Sequence, residues 1–163
     1  MTIDLTRRRV AGLLVAAPAV LAVPVRAAFA QGAPLVEVYK SATCGCCKDW
    51  ITYLQANGFP NVKAFDTGNA KKRAEVGMSL RYGSCHTALV DGYVIEGHVP
   101  AREIKRLLKE RPKTLGLAVP GMPLGSPGME VDDGRVDRYD VLLVQKDETA
   151  TVYASYARQA PKT

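Results

Sequence analysis

Leu35-Val36-Glu37-Val38-Tyr39-Lys40-Ser41-Ala42-Thr43-Cys44-Gly45-Cys46-Cys47 joins a short alternating segment, through a polar turn, to three cysteines within four residues. The alternation from Leu35 to Tyr39 is the period-two pattern of a strand with one buried face. Cys47, Trp50, Ile51 and Leu54 then recur at helical spacing up to Asn57-Gly58, so a helix is expected over 47–57. The cysteines therefore stand where the first strand turns into the first helix. Cys44 is placed at or just before the helix N-terminus, with Cys46 and Cys47 in its first turn.

Working outward, Val62 to Phe65 reads as a second strand, and Asn69 is placed to cap a short basic helix through Val76 that Gly77 ends. Thr87–Val90 and Tyr93–Glu96 flank Asp91-Gly92, the dipeptide of a tight type I′ hairpin. Pro100 opens a helix running to Arg111. Its Ile104, Leu107 and Leu108 face inward, Arg102, Lys105, Arg106 and Lys109 face outward, and Pro112 stops it. The order β-α-β-α-β-β-α is that of a thioredoxin-like domain. The expected class is α/β, a thioredoxin-like mixed sheet with flanking helices. A Gly/Pro-rich loop over 116–128 follows, with a solvent loop around 132–137 and extra strands around 141–144 and 151–153.

The 163 residues, 47% hydrophobic and 23% charged, suit a single globular domain with a real core. Residues 1–30 read as a cleavable export signal. Arg7-Arg8-Arg9 precede an apolar run from Val10 to Val25, and Ala28-Phe29-Ala30 offers a small-x-small cleavage site. The paired arginines suit the twin-arginine route. Pro18 and Pro24 break a run already short for a membrane span, so no stable span is expected after processing. The domain is thus expected over 31–163 in the periplasm. The leader holds four arginines against one aspartate, half of the net charge of +6. The remaining excess is mild and no basic stripe is interleaved with aromatics, which argues against a nucleic-acid partner.

In an oxidising compartment free thiols become disulfides unless a metal or a redox partner protects them. Cys44 and Cys47 keep the C-x-x-C spacing at which a disulfide is sterically ordinary. A vicinal Cys46–Cys47 bridge would be strained, so Cys46 is a metal ligand or a resolving thiol. The helix N-terminus, with Lys40 and Lys48 nearby in sequence, favours thiolates. Cys85, in Ser84-Cys85-His86-Thr87, falls at the junction opposite the C-x-x-C. A disulfide-exchanging member of this fold keeps a cis-proline there, and Ser84–Thr87 contains no proline. His98, in Glu96-Gly97-His98-Val99-Pro100, and the methionines Met122 and Met129 of the Gly/Pro-rich loop are further candidates. Crowded thiolates with methionines nearby favour copper(I), with room for more than one ion. Zinc would ordinarily use two C-x-x-C pairs, and no third motif supplies an iron–sulfur spacing.

These motifs together resemble a known family, the small exported thioredoxin-like proteins of bacterial copper resistance, CopG-like. The likeness rests on Cys44-Gly45-Cys46-Cys47, Ser84-Cys85-His86-Thr87, the run from Gly92 to Pro100, and the run from Gly116 to Glu130. It implies periplasmic copper binding through Cys44, Cys46, Cys47 and Cys85, with His98 and Met122 at the periphery. It also implies a role in copper redox or transfer, with other periplasmic copper-handling proteins as partners. The competing reading is an enzyme, a thiol–disulfide oxidoreductase or arsenate-reductase-like protein using Cys44 and Cys47. A zinc-stabilised interaction module ranks third.

Overall fold

The structure is a computed structural model that describes residues 32–158. The leader expected over 1–30 lies outside the described residues. A mixed seven-stranded sheet in the order β2-β1-β3-β4-β5-β6-β7 carries three helices. β1 (Val36–Lys40), α1 (Gly45–Ala56), β2 (Val62–Phe65), α2 (Ala70–Glu75), β3 (His86–Val90), β4 (Tyr93–Glu96) and α3 (Ala101–Glu110) follow the expected order. β1 runs parallel to β2 and antiparallel to β3, and β3 runs antiparallel to β4. That is the thioredoxin-like arrangement. β5 (Gly116–Ala118), β6 (Tyr139–Val144) and β7 (Ala150–Tyr156) extend the sheet on the β4 side.

Alternation decides which side chains enter which layer. Val36 and Val38 of β1, Ala88 and Val90 of β3, and Ile95 of β4 join Trp50, Leu54, Ile104 and Leu107 in the main core under α1 and α3. The opposite face holds a smaller cluster of Met78, Tyr82, Val94, Ala118 and Val144. Asp91 and Gly92 take positive φ values of 47° and 85°, as the predicted hairpin turn requires. β7 is tied to α3 by Arg102 over Tyr156 and Arg106 over Tyr153. Residues three apart would face opposite sides of a regular strand. The register shift between Val141 and Leu142, which leaves Tyr153 without a partner, brings both tyrosines to α3.

Three local expectations change. The helix expected over 47–57 begins two residues earlier, at Gly45, while Cys44 at its N-cap and Cys46 and Cys47 in its first turn stand where the sequence placed them. Asn69 stands at the N-cap of α2 without capping it, because its side chain donates instead to Ser84 O at 3.1 Å and Thr87 Oγ1 at 3.3 Å. The segment expected as loop from Gly116 opens with β5, buried between β4 and β6.

Candidate metal centre

Two chain crossings bring the sulfurs together. β1 ends beside β3, pairing Lys40 with His86, so the Cys44–Cys47 turn and Cys85 face one another at the same end of the sheet. The Sγ atoms of Cys44, Cys46, Cys47 and Cys85 all lie within 4.8 Å of one another. Cys46 Sγ is 3.6 Å from Cys44 Sγ and 3.8 Å from Cys85 Sγ, and Cys47 Sγ is 3.5 Å from Cys85 Sγ. Cys44 and Cys47 are joined as a disulfide, with Cα atoms 5.4 Å apart, while Cys46 and Cys85 are free. The C-x-x-C pair is thus bonded here, whereas the sequence favoured reading it as two corners of a copper site. Four thiolate donors require that this disulfide be reduced.

Cys85 is the hub. Its sulfur lies 3.1 Å from His98 Nε2 and 3.4 Å from His86 Nδ1. His98 Nδ1 is 2.8 Å from the carbonyl of Pro127, which can only accept, so Nδ1 carries the proton. Burial holds the His98 pKa below the ordinary range, so the ring is neutral and Nε2 presents its lone pair to Cys85. This is the arrangement in which a histidine's second nitrogen fixes the tautomer of a metal-facing one. The Cys85 thiol is pushed up to about 12, chiefly by burial and then by Cys46 beside it, so metal binding must displace a proton here. His86 is wholly buried between Trp50 and His98, and its Nε2 has no hydrogen-bond partner. Cys85, His86 and His98 form a second convergent group that shares the Cys85 sulfur.

The 119–129 loop seals one side of this centre. Gly121 N–H donates to Gly83 O at 3.0 Å, and Ser84 Oγ donates to Gly121 O at 2.5 Å. Gly128 must be glycine. A Cβ there would lie 2.6 Å from Trp50 N and 2.8 Å from Cys46 O, so the loop rests directly on the first two turns of α1. Met122 is 53% exposed and lines an open cleft of about 390 Å³ together with Cys85, Leu80 and Arg73. Met129 is half-buried within the loop. Lys40 does not serve the thiols as its sequence position suggested. It is buried and paired with Asp66, while Lys48 is exposed. Among the described residues no peptide bond is cis.

His86, whose imidazole the sequence places in the same cavity as the Cys85 thiol, stands beside it. One feature carries no signal in the sequence. The Pro127 carbonyl that sets the His98 tautomer gives no side-chain signal at all.

Fold and site together define a small thioredoxin-like α/β domain that gathers four cysteine sulfurs and a neutral imidazole at one end of its sheet. The chain belongs to the CopG copper-resistance protein family. It is similar to the solved structure of copper resistance protein CopG, form 1, at 46% identity, covering 76% of this chain and 98% of that one with a TM-score of 0.70. Form 2 of the same protein matches at 45% identity with the same coverage and a TM-score of 0.71. Residues 82–129 match a family described as a protein of unknown function, DUF411. No match is found among curated proteins.

Proposed function

We propose that this is a periplasmic copper(I)-binding protein of copper resistance, which sequesters copper or hands it to other copper-handling proteins. In this reading residues 1–30 direct export and are removed, and the domain of 31–163 works in the periplasm. Among the described residues no helix is long and apolar enough to cross a membrane. Copper is cargo, taken by Cys44, Cys46, Cys47 and Cys85 as thiolates, with His98 Nε2 and Met122 at the edge. A mostly sulfur donor set with one imidazole suits copper(I). The observation that carries the proposal is the surrounding of Cys85, with Cys46 Sγ, Cys47 Sγ and a lone pair on His98 Nε2 all within 3.8 Å of its sulfur. Redox cycling balances at the same site. Two copper(II) ions take one electron each as the Cys44 and Cys47 thiols form their disulfide, giving two copper(I) and two protons.

The disulfide itself supports the second reading, a thiol–disulfide oxidoreductase, since Cys85 Sγ stands 3.5 Å from Cys47 Sγ, within reach for exchange. Cys46 separates the two. Reduced protein titrated anaerobically with copper(I) against a competing chelator is expected to take at least one equivalent and to show thiolate-to-copper charge-transfer absorption. Cys46→Ser is expected to lower that uptake. Protein that stays metal-free under the competitor would sink the copper reading. Insulin reduction that survives Cys46→Ser and disappears in Cys44→Ser would establish the oxidoreductase.

A further inference from the structure

We infer that Arg73 and Glu96 are positioning residues for Cys85, a buried ion pair whose hydrogen bonds are directed onto the segment that carries this thiol; the inference rests on the copper-site reading.

Glu96 ends β4 on the face away from α1 and is completely buried. Its Oε1 accepts from Arg73 Nε at 2.8 Å and from the Ser84 backbone N–H at 2.7 Å, and its Oε2 accepts from Thr87 Oγ1 at 2.6 Å. Arg73 donates a second hydrogen bond to Ser84 O at 2.8 Å, and Asn69 donates to the same carbonyl. The residues before and after the Cys85–His86 pair are therefore both fastened, Ser84 at its amide and carbonyl and Thr87 at its hydroxyl. Gly83 lets the guanidinium lie close, since a Cβ there would come within 3.3 Å of Arg73 and 2.9 Å of Leu80 O.

Stability does not explain this pair. The cluster beside it is Met78, Tyr82, Val94, Ala118 and Val144, which two more apolar side chains would extend. Desolvating two charges offsets most of their attraction, and a well-packed apolar replacement of a buried pair is often neutral or stabilising. What an apolar pair cannot do is hold the Ser84 amide and carbonyl. A proline ring stiffens this junction in disulfide-exchanging relatives of the fold; here a polar clamp takes that place. A binding constellation works when its groups are held to within about 0.5 Å, and Cys85 has to face Cys46, Cys47 and His98 at once.

The test uses the protein with its Cys44–Cys47 disulfide intact, leaving Cys46 and Cys85 as free thiols. Alkylation by iodoacetamide, followed at each site by peptide mass spectrometry, gives a Cys85-to-Cys46 rate ratio in which Cys46, held on α1, is the internal reference. Arg73→Met/Glu96→Leu is expected to fold with a circular dichroism spectrum like that of the parent. Its ratio should rise about ten-fold, in keeping with the loss of hydrogen bonds to charged groups. Glu96→Gln keeps an acceptor for Ser84 N–H and is expected to hold the ratio within about two-fold, a rescue by the conservative variant. An unchanged ratio in the folded double variant overturns the inference, as does a rise in Glu96→Gln equal to that of the double variant. Should the double variant not fold, Arg73→Lys decides. It keeps a cation beside Glu96 but lacks the forked guanidinium that reaches both Glu96 and Ser84 O, and should raise the ratio about three-fold; no rise overturns the inference. The reduced double variant should also bind copper(I) about ten-fold more weakly in the competition titration. Parent protein that takes no copper defeats the copper reading alone, because the alkylation ratio is read without metal.

Discussion

The two faces of the sheet are built on different principles. Under α1 and α3 the side chains form one continuous apolar core, with Trp50, Leu54, Ile104 and Leu107 essentially inaccessible. Under the short α2 the apolar cluster is small, a buried Arg73–Glu96 pair sits beside it, and an open groove of about 670 Å³ runs past Leu35, Leu89 and Leu115. The first face concentrates burial, which supplies most of the free energy of folding. The second places charge and hydrogen bonds where they fix one short segment. The candidate metal centre lies at the end of the sheet where the two meet. It takes Cys46 and Cys47 from the helix on the first face, and Cys85 from the loop that the second face clamps.

That division predicts unequal costs of truncation. Trp50 is fully buried, donates from Nε1 to Val99 O at 3.0 Å and packs on His86. Trp50→Ala is expected to cost about 3–5 kcal/mol by urea unfolding with the disulfide intact. Met78→Ala on the other face should stay near the lower end for a buried methionine, about 2 kcal/mol. Equal losses would erase the distinction between the faces.

The first face was also the one legible in the sequence. Alternation in Val36–Tyr39 and helical spacing through Trp50 and Leu54 record burial against one layer, and burial is what hydrophobic periodicity reports. The four cysteines and His98 were legible as chemistry because their residue types are rare. β5 was not. Gly116-Leu117-Ala118 is too short to show a period and exists as a strand through its pairing with β4 and β6. The role of Asn69 was misread because a local capping signal competes with partners at Ser84 and Thr87, which only the folded chain brings near. Glu96 stood as an acidic residue after Tyr93-Val94-Ile95, directly across the hairpin from Thr87, and that pairing was the one sequence clue to the clamp.

Acid should separate the faces in a second way. Burial, and then the neighbouring His98, pushes His86 down to about 3, whereas an unfolded chain protonates its histidines near 6.5. Between those values the unfolded state binds a proton that the folded state does not. The metal-free protein therefore loses stability as pH falls from about 6.5 toward 3, by up to about 1.4 kcal/mol per pH unit for this one group. His98, also lowered by burial, acts in the same direction. Glu96 on the other face acts oppositely. Burial raises its pKa, so the folded state takes up that proton first and acidification there favours folding. In urea unfolding between pH 6.5 and 4.5, His86→Phe, which keeps a ring beside Trp50, is expected to flatten the slope by about one proton. An unchanged slope would mean that His86 is not held neutral.

The smallest effect is expected where the second face opens to solvent. Leu80, in the 3-10 turn Leu80–Tyr82, is 78% exposed and stands with Met122 around the cleft that reaches Cys85. A side chain so exposed contributes almost nothing to folding, and Leu80→Ser should change stability by no more than about 0.5 kcal/mol. Copper(I) uptake should be equally indifferent, since the residue carries no donor atom. A loss above about 1 kcal/mol, outside the range of an ordinary surface substitution, would show that Leu80 is covered in solution. The second face would then bury apolar surface as the first does, and the contrast between them would narrow to the Arg73–Glu96 clamp.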